Sequence, residues 1–167
     1  LEGEMLNGVK NGEWTKSAKG ILYSKENYKN GELHGTQYYF NDKYINRSER
    51  EEAKECGITE KKHIYLSSIE NYKNGSLDGN QYQFNYKGDL LTFEQYKKGR
   101  RDGVYENYHY KGYLLFYAEY KDGWYNGKYI SVTWEDEAVY DSKYRFQGYE
   151  QYKSGMTVAH FKDGWLD

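Results

Sequence analysis

Proline is absent from the 167-residue chain, and cysteine occurs once, as Cys56. A single cysteine excludes an intrachain disulfide framework and leaves the redox compartment open. No apolar run approaches the ~20 residues of a membrane-spanning helix, and mean hydropathy is −1.15. Neither charge sign is in excess: 24 Lys and Arg face 26 Asp and Glu, for a net charge of −2. That balance argues against a dedicated nucleic-acid binder, which carries a basic surplus. The four histidines are scattered. His63, His109 and His160 show no metal-ligand spacing, which argues against a metalloenzyme. No signal-peptide pattern is visible, so the reading favours a cytoplasmic over a secreted or surface location. The chain begins with Leu1, and an upstream segment or leader is expected to have preceded it.

What the chain has in abundance is aromatic residues and glycine. Low hydropathy with 30% charged residues is a composition that disordered chains share. The 22 Tyr, 6 Phe and 4 Trp reject that reading, because aromatics suit a pleated, half-buried strand surface. Eighteen Gly supply positive φ for tight hairpins. The lack of proline leaves every ladder donor in place.

The main finding is an internal repeat. Tyr72-Lys73-Asn74-Gly75-Ser76-Leu77-Asp78-Gly79 nearly copies Tyr28-Lys29-Asn30-Gly31-Glu32-Leu33-His34-Gly35. The pattern returns from Tyr96 to Gly103, from Tyr120 to Gly127 and, more weakly, from Met5 to Gly12. Tyr152-Lys153-Ser154-Gly155 starts a copy and diverges, and Phe161 to Asp167 starts another that stops before its second glycine. That last run reads as a chain cut from a longer one. The spacings of 23, 44, 24, 24 and 32 residues between Met5, Tyr28, Tyr72, Tyr96, Tyr120 and Tyr152 give a period near 24 with two insertions.

Each unit reads as a β-hairpin. Gln81 to Tyr86 alternates polar and aromatic residues with period two. A turn follows at Lys87-Gly88, and Leu90 to Tyr96 forms the return strand. Asn-Gly and Asp-Gly dipeptides at the joints are strong hairpin signals. Stacked hairpins predict an all-β, elongated antiparallel meander in one domain over residues 1–167, with ten to twelve strands. Equivalent side chains should align: Tyr28, Tyr72, Tyr96, Tyr120 and Tyr152 in one ladder, Phe40, Phe84 and Tyr108 in a second, and Leu22, Leu90 and Leu114 in a third. The insertion at about 41–63 contains a capping-box pattern at Ser48 to Glu51 and a stop at Gly57, which predicts a short helix over Glu49–Cys56. The insertion at about 135–144 reads as an acidic loop.

The recurring Tyr-Lys-x-Gly-x-Leu-x-Gly unit resembles the MORN-repeat family, and is most similar to its bacterial variant form. The likeness covers most of the chain outside the two insertions. It implies a mostly non-catalytic scaffold. Many bacterial variants are antitoxins or immunity proteins, so it also implies a protein partner, a cognate toxin, and no enzyme activity or cofactor.

The residues taken one by one fit a binding module. His34 stands where other units have Asp78, Asp102 or Asn126 and reads as turn chemistry. Cys56 has no evident base to activate it. No phosphate-binding glycine motif is present. Trp124, Tyr125 and Trp134 add aromatics to an irregular unit. Together with Glu135, Asp136, Glu137 and Tyr140 they form the candidate partner-binding surface, since Trp and Tyr dominate interface hot spots. The alternative is a structural or surface-associated scaffold that self-associates through its ends, or one that binds anionic lipid through Lys29, Lys73, Lys97, Lys121 and Lys153. Those lysines are expected opposite the tyrosine ladder. Glu26, Glu70, Glu94 and Glu150 recur two residues before a tyrosine, so the interspersed charges are equally those of a solvated sheet face.

Overall fold

A computed structural model describes residues 2–44, 62–140 and 146–166. They form one antiparallel sheet of 14 strands. In chain order these are β1 (Glu2–Leu6), β2 (Val9–Ala18), β3 (Ile21–Lys29), β4 (Glu32–Leu33), β5 (Gly35–Tyr44), β6 (Lys62–Lys73) and β7 (Ser76–Leu77). Then follow β8 (Gly79–Phe84), β9 (Leu90–Lys97), β10 (Arg100–Tyr108), β11 (Leu114–Lys121), β12 (Trp124–Tyr140), β13 (Phe146–Lys162) and β14 (Trp165–Leu166). The strands pair in chain order, except that β3 pairs on to β5 and β6 to β8, while the short strands β4 and β7 pair beside the main path with β3 and β6. This is a meander of hairpins.

The inner turns carry the repeat. Asn7-Gly8, Asn30-Gly31, Asn74-Gly75, Lys98-Gly99, Asp122-Gly123 and Asp163-Gly164 all have positive φ at both residues. That is the primed turn whose twist matches paired strands. Consecutive turns are stitched along one edge. From Gly31 onward the amide of each of these turn glycines donates to a carbonyl of the preceding unit: Gly31 to Lys10, Gly75 to Leu33, Gly99 to Leu77, Gly123 to Arg101 and Gly164 to Tyr125, at 2.8–2.9 Å.

After each inner turn the strand slips two residues against its partner. Leu33 pairs with Tyr28, but Tyr38 pairs with Lys25. The same slip separates Arg101 from Tyr105 and Tyr125 from Tyr129. Buried glutamines fill the gap in two units. Gln37 is 0% exposed. Its Oε1 accepts from the Asn27 amide at 2.5 Å, and its Nε2 donates to the Gly35 carbonyl at 2.9 Å. Gln81 repeats this with Asn71 and Gly79. A side-chain amide thus replaces the missing peptide partner, as buried backbone groups require. In the next two units Gln95 and Glu119 do the work from the other strand. They accept from the amides of Val104 and Lys128 at 2.8 Å.

Little lies inside. Among the described residues the buried side chains are Trp14, Ala118, Ser24, Gln37, Gln81 and Thr92. Two of those six are apolar, so the sheet is one layer and the ladder bonds and cross-strand pairs hold it.

Several sequence expectations change. The fifth ladder position belongs to Phe161, not Tyr152. Gly12, Gly35, Gly79 and Gly103 pair with Tyr28, Tyr72, Tyr96 and Tyr120. In the same register Gly127 pairs with Phe161, whereas Tyr152 lies opposite Glu135 in mid-strand. The acidic loop is also corrected: Glu135 to Tyr140 is strand, pairing with Tyr152 to Phe146. Acidic residues are poor strand formers, but a long partner strand offers every amide a ladder bond. The remainder of that loop, residues 141–145, lies outside the described residues. At the other insertion, Asn41–Tyr44 and Lys62–His63 extend β5 and β6. The helix expected over Glu49–Cys56 lies outside the described residues, as does Cys56. The aromatic and leucine ladders meet across the outer ends of the hairpins, where Phe40, Phe84 and Tyr108 pair with Leu66, Leu90 and Leu114.

Candidate functional site

The two faces differ. In three units the tyrosine face carries a serine or threonine, a glutamate and a tyrosine at alternate positions of the return strand, which period-two geometry places side by side. Tyr28 donates to Glu26 at 2.7 Å, Tyr72 to Glu70 at 2.9 Å and Tyr96 to Glu94 at 3.0 Å. Ser24 donates to Glu26 at 2.8 Å. Burial, reinforced by the Glu26 hydrogen bond, pushes the Tyr28 phenol up to about 12. Burial also raises Tyr72 and Tyr96, with Glu70 and Glu94 adding to it. These hydroxyls stay protonated around neutral pH and act as donors.

Cations serve two of the three pairs. Lys10 donates to the Tyr28 hydroxyl at 3.2 Å and lies 4.3 Å from its ring centre. Arg101 bonds Glu94 at 2.8 Å and sits over the rings of Tyr105 and Tyr120, at 4.9 and 5.4 Å. Arg101 and Glu94 side chains are 39% and 14% exposed, so solvent screens part of this pair. Arg101→Met is expected to lower stability by about 1–2 kcal/mol. The loss should shrink in 1 M salt, read from urea midpoints at both ionic strengths.

From Tyr105 onward the face becomes aromatic. Ala118, fully buried, stands where the earlier units have glutamate. Around it Phe116 meets Tyr105 and Tyr129 edge-on at 5.4 and 5.0 Å. Tyr125 lies 4.8 Å from Tyr120, 5.8 Å from Tyr129 and 5.2 Å from Phe161. Such pairs contribute about 0.5–1.5 kcal/mol beyond burial. All of these rings keep part of their surface accessible, and no second layer covers them among the described residues.

The sequence-predicted surface is split. Tyr125 belongs to this aromatic slab. Trp124 is 66% exposed on the opposite face, against the Gly164 turn. Trp165 is 80% exposed beside the same turn. Trp134, Glu135, Asp136, Glu137 and Tyr140 occupy the far part of β12, with backbone partners from Lys153 to Phe146. Trp134 lies nine residue steps along the strand from Tyr125, roughly 30 Å.

Lys29, Lys73, Lys97 and Lys121 are exposed next to the inner turns, one residue past each ladder tyrosine. Lys121 pairs with Asp102 at 3.0 Å. Lys153 lies opposite Trp134, away from this row, and Lys162 takes the equivalent place opposite Trp165. His34 accepts from the Asn74 amide at 3.5 Å, as Asp78 does from Lys98 at 3.0 Å. It therefore caps the next turn. Among the described residues no group of three or more His, Cys, Asp or Glu could hold a metal ion.

Sequence reasoning missed Tyr105, Phe116, Tyr129 and Phe161. The signal for Phe161 was present: it stands two residues before the turn dipeptide Asp163-Gly164. In comparisons with family models, with curated proteins and with solved structures, nothing matches this chain.

Proposed function

We propose that this chain is a non-catalytic protein-binding repeat module whose partner rests on the aromatic slab around Tyr125. The supporting observation is the half-exposed cluster of Tyr105, Phe116, Tyr120, Tyr125, Tyr129 and Phe161 on a one-layer sheet. Rigid aromatic surface of this kind favours hot-spot contacts. The resemblance to bacterial MORN-variant proteins points to the partner: a toxin that this chain binds and neutralises as an antitoxin or immunity protein. The phenols beside Glu26, Glu70 and Glu94 are held protonated, which suits recognition better than proton transfer.

Co-expression with the product of the neighbouring gene, followed by size-exclusion chromatography with light scattering, tests this. A 1:1 complex that silences the neighbour's toxicity is expected. Tyr125→Ala should weaken it by about 30-fold or more, the ~2 kcal/mol of a hot-spot residue. A chain that stays alone, or binds with Tyr125→Ala as tightly as the wild type, overturns the reading.

A further inference from the structure

The tyrosine face repeats one arrangement with one position changed. Arg101 lies opposite Tyr96 in the ladder and bonds Glu94, the glutamate of that strand. One unit earlier the equivalent residue is Leu77, opposite Tyr72 and beside Glu70. One unit before that it is Leu33, opposite Tyr28. Glu70 therefore has a leucine at both neighbouring cation positions, where Glu94 has Arg101 and the Glu26–Tyr28 pair has Lys10. Among the described residues no cation reaches Glu70. Its carboxylate accepts from Tyr72 at 2.9 Å and Ser68 at 3.5 Å.

The leucine leaves space. Ser68, Glu70, Tyr72, Leu77, Gln83 and Tyr96 line a groove of about 270 Å³. Small-molecule sites begin near ~300 Å³, so this groove suits one long side chain better than a whole metabolite. Its walls match the Arg101 seat in part: Glu70 stands between Tyr72 and Tyr96 as Glu94 does between Tyr96 and Tyr120, Glu94 lines the groove as well, and Gln81 takes the place of Tyr105, so Tyr96 is the ring left for stacking. A guanidinium matches a carboxylate and stacks on aromatic rings, which an ammonium does less well.

We propose that the Glu70 groove receives one arginine side chain from a protein partner, seated as the chain's own Arg101 is seated against Glu94. This deepens the protein-binding reading and rests on it. It places a polar anchor on the same face as the aromatic slab, and it requires the partner to present an arginine from a protruding segment.

The probe is acetyl-Gly-Arg-Gly-amide, titrated into the full chain and followed by backbone amide shifts. Saturable shifts at Ser68, Glu70, Gln83 and Tyr96 are expected. The citrulline analogue, equal in shape but uncharged, should bind at least tenfold more weakly, as should the arginine peptide to Glu70→Gln. Leu77→Arg should fill the groove from within, abolish the titration and retain the β circular-dichroism signal. Equal binding of the citrulline peptide, an unchanged titration in Leu77→Arg, or tighter binding of spermidine than of the peptide would each overturn the proposal.

A second arm uses the partner complex. Leu77→Arg should weaken it about tenfold. A complex indifferent to Leu77→Arg overturns the arginine anchor and leaves the protein-binding reading standing. Failure of the wild-type chain to form any complex instead overturns the protein-binding reading on which the anchor rests, whatever the peptide does.

Discussion

Gln37→Leu is expected to destabilise the protein by about 2–5 kcal/mol. The side chain is fully buried, and its amide takes the place of a peptide group where the strands slip by two residues. Leucine fills a similar volume but leaves the Asn27 amide and the Gly35 carbonyl without their partners. A buried polar group left unpaired costs about 1–3 kcal/mol. Native stability totals only about 5–15 kcal/mol, so urea titration should show a large fall in midpoint. Gln81→Leu should behave alike through Asn71 and Gly79. Gln37→Glu adds a pH signature. Its ionised carboxylate would face the Asn27 and Gly35 carbonyls, so the folded state raises its pKa. Such a group contributes stability below its unfolded value of about 4.3, and that contribution is lost as pH rises through the folded value. The variant should sit closer to wild type at pH 4 than at pH 7. A Gln37→Leu protein with an unchanged midpoint would refute the bridging role.

The hairpin repeat was legible because its punctuation is local. Asn30-Gly31 and Asp122-Gly123 specify a primed turn through their own backbone preferences, and period two does the rest. Register is not local, and this is where the reading of the sixth unit went astray. Tyr152-Lys153-Ser154-Gly155 and Phe161-Lys162-Asp163-Gly164 look alike as strings. Asp163 and Gly164 adopt positive φ and turn the chain, whereas Gly155 runs on in mid-strand opposite Thr133. Aspartate tolerates that backbone better than serine, which was the available clue. The candidate site was legible only in part for the same reason. Trp124 and Tyr125 are neighbours in sequence but occupy opposite faces. Phe116, Tyr129 and Phe161 are remote in sequence and meet only once the ladder is in register. The bridging glutamines were invisible because the gap that each fills is made by two strands together.

Gly127→Ala is expected to cost about 2–4 kcal/mol, more than the same change at positive-φ glycines that have open space around them. At φ +111 the backbone of Gly127 lies in a region that side-chain-bearing residues rarely enter, worth about 1–3 kcal/mol. A methyl there would also run into the Glu119 carboxylate. That carboxylate accepts from the Lys128 amide at 2.8 Å and the Tyr117 hydroxyl at 2.7 Å, bridging the strand slip in this unit. Displacing it removes bonds of about 1 kcal/mol each. Gly112→Ala is the control: φ is +85 and nothing lies within 4 Å of the added carbon, so only the backbone term applies. Acid separates the two contributions. The Lys128 amide, then the Tyr117 hydroxyl, hold the Glu119 carboxyl below its usual 4.5. Stability from a depressed carboxyl is present above the unfolded value and lost as pH falls through the folded one. Gly127→Ala discards that contribution in advance, so its deficit against wild type should narrow below about pH 4, while the Gly112→Ala deficit stays level. Thermal midpoints across pH 3–7 decide the matter, and a Gly127→Ala deficit that does not change with pH would show that Glu119 is not displaced.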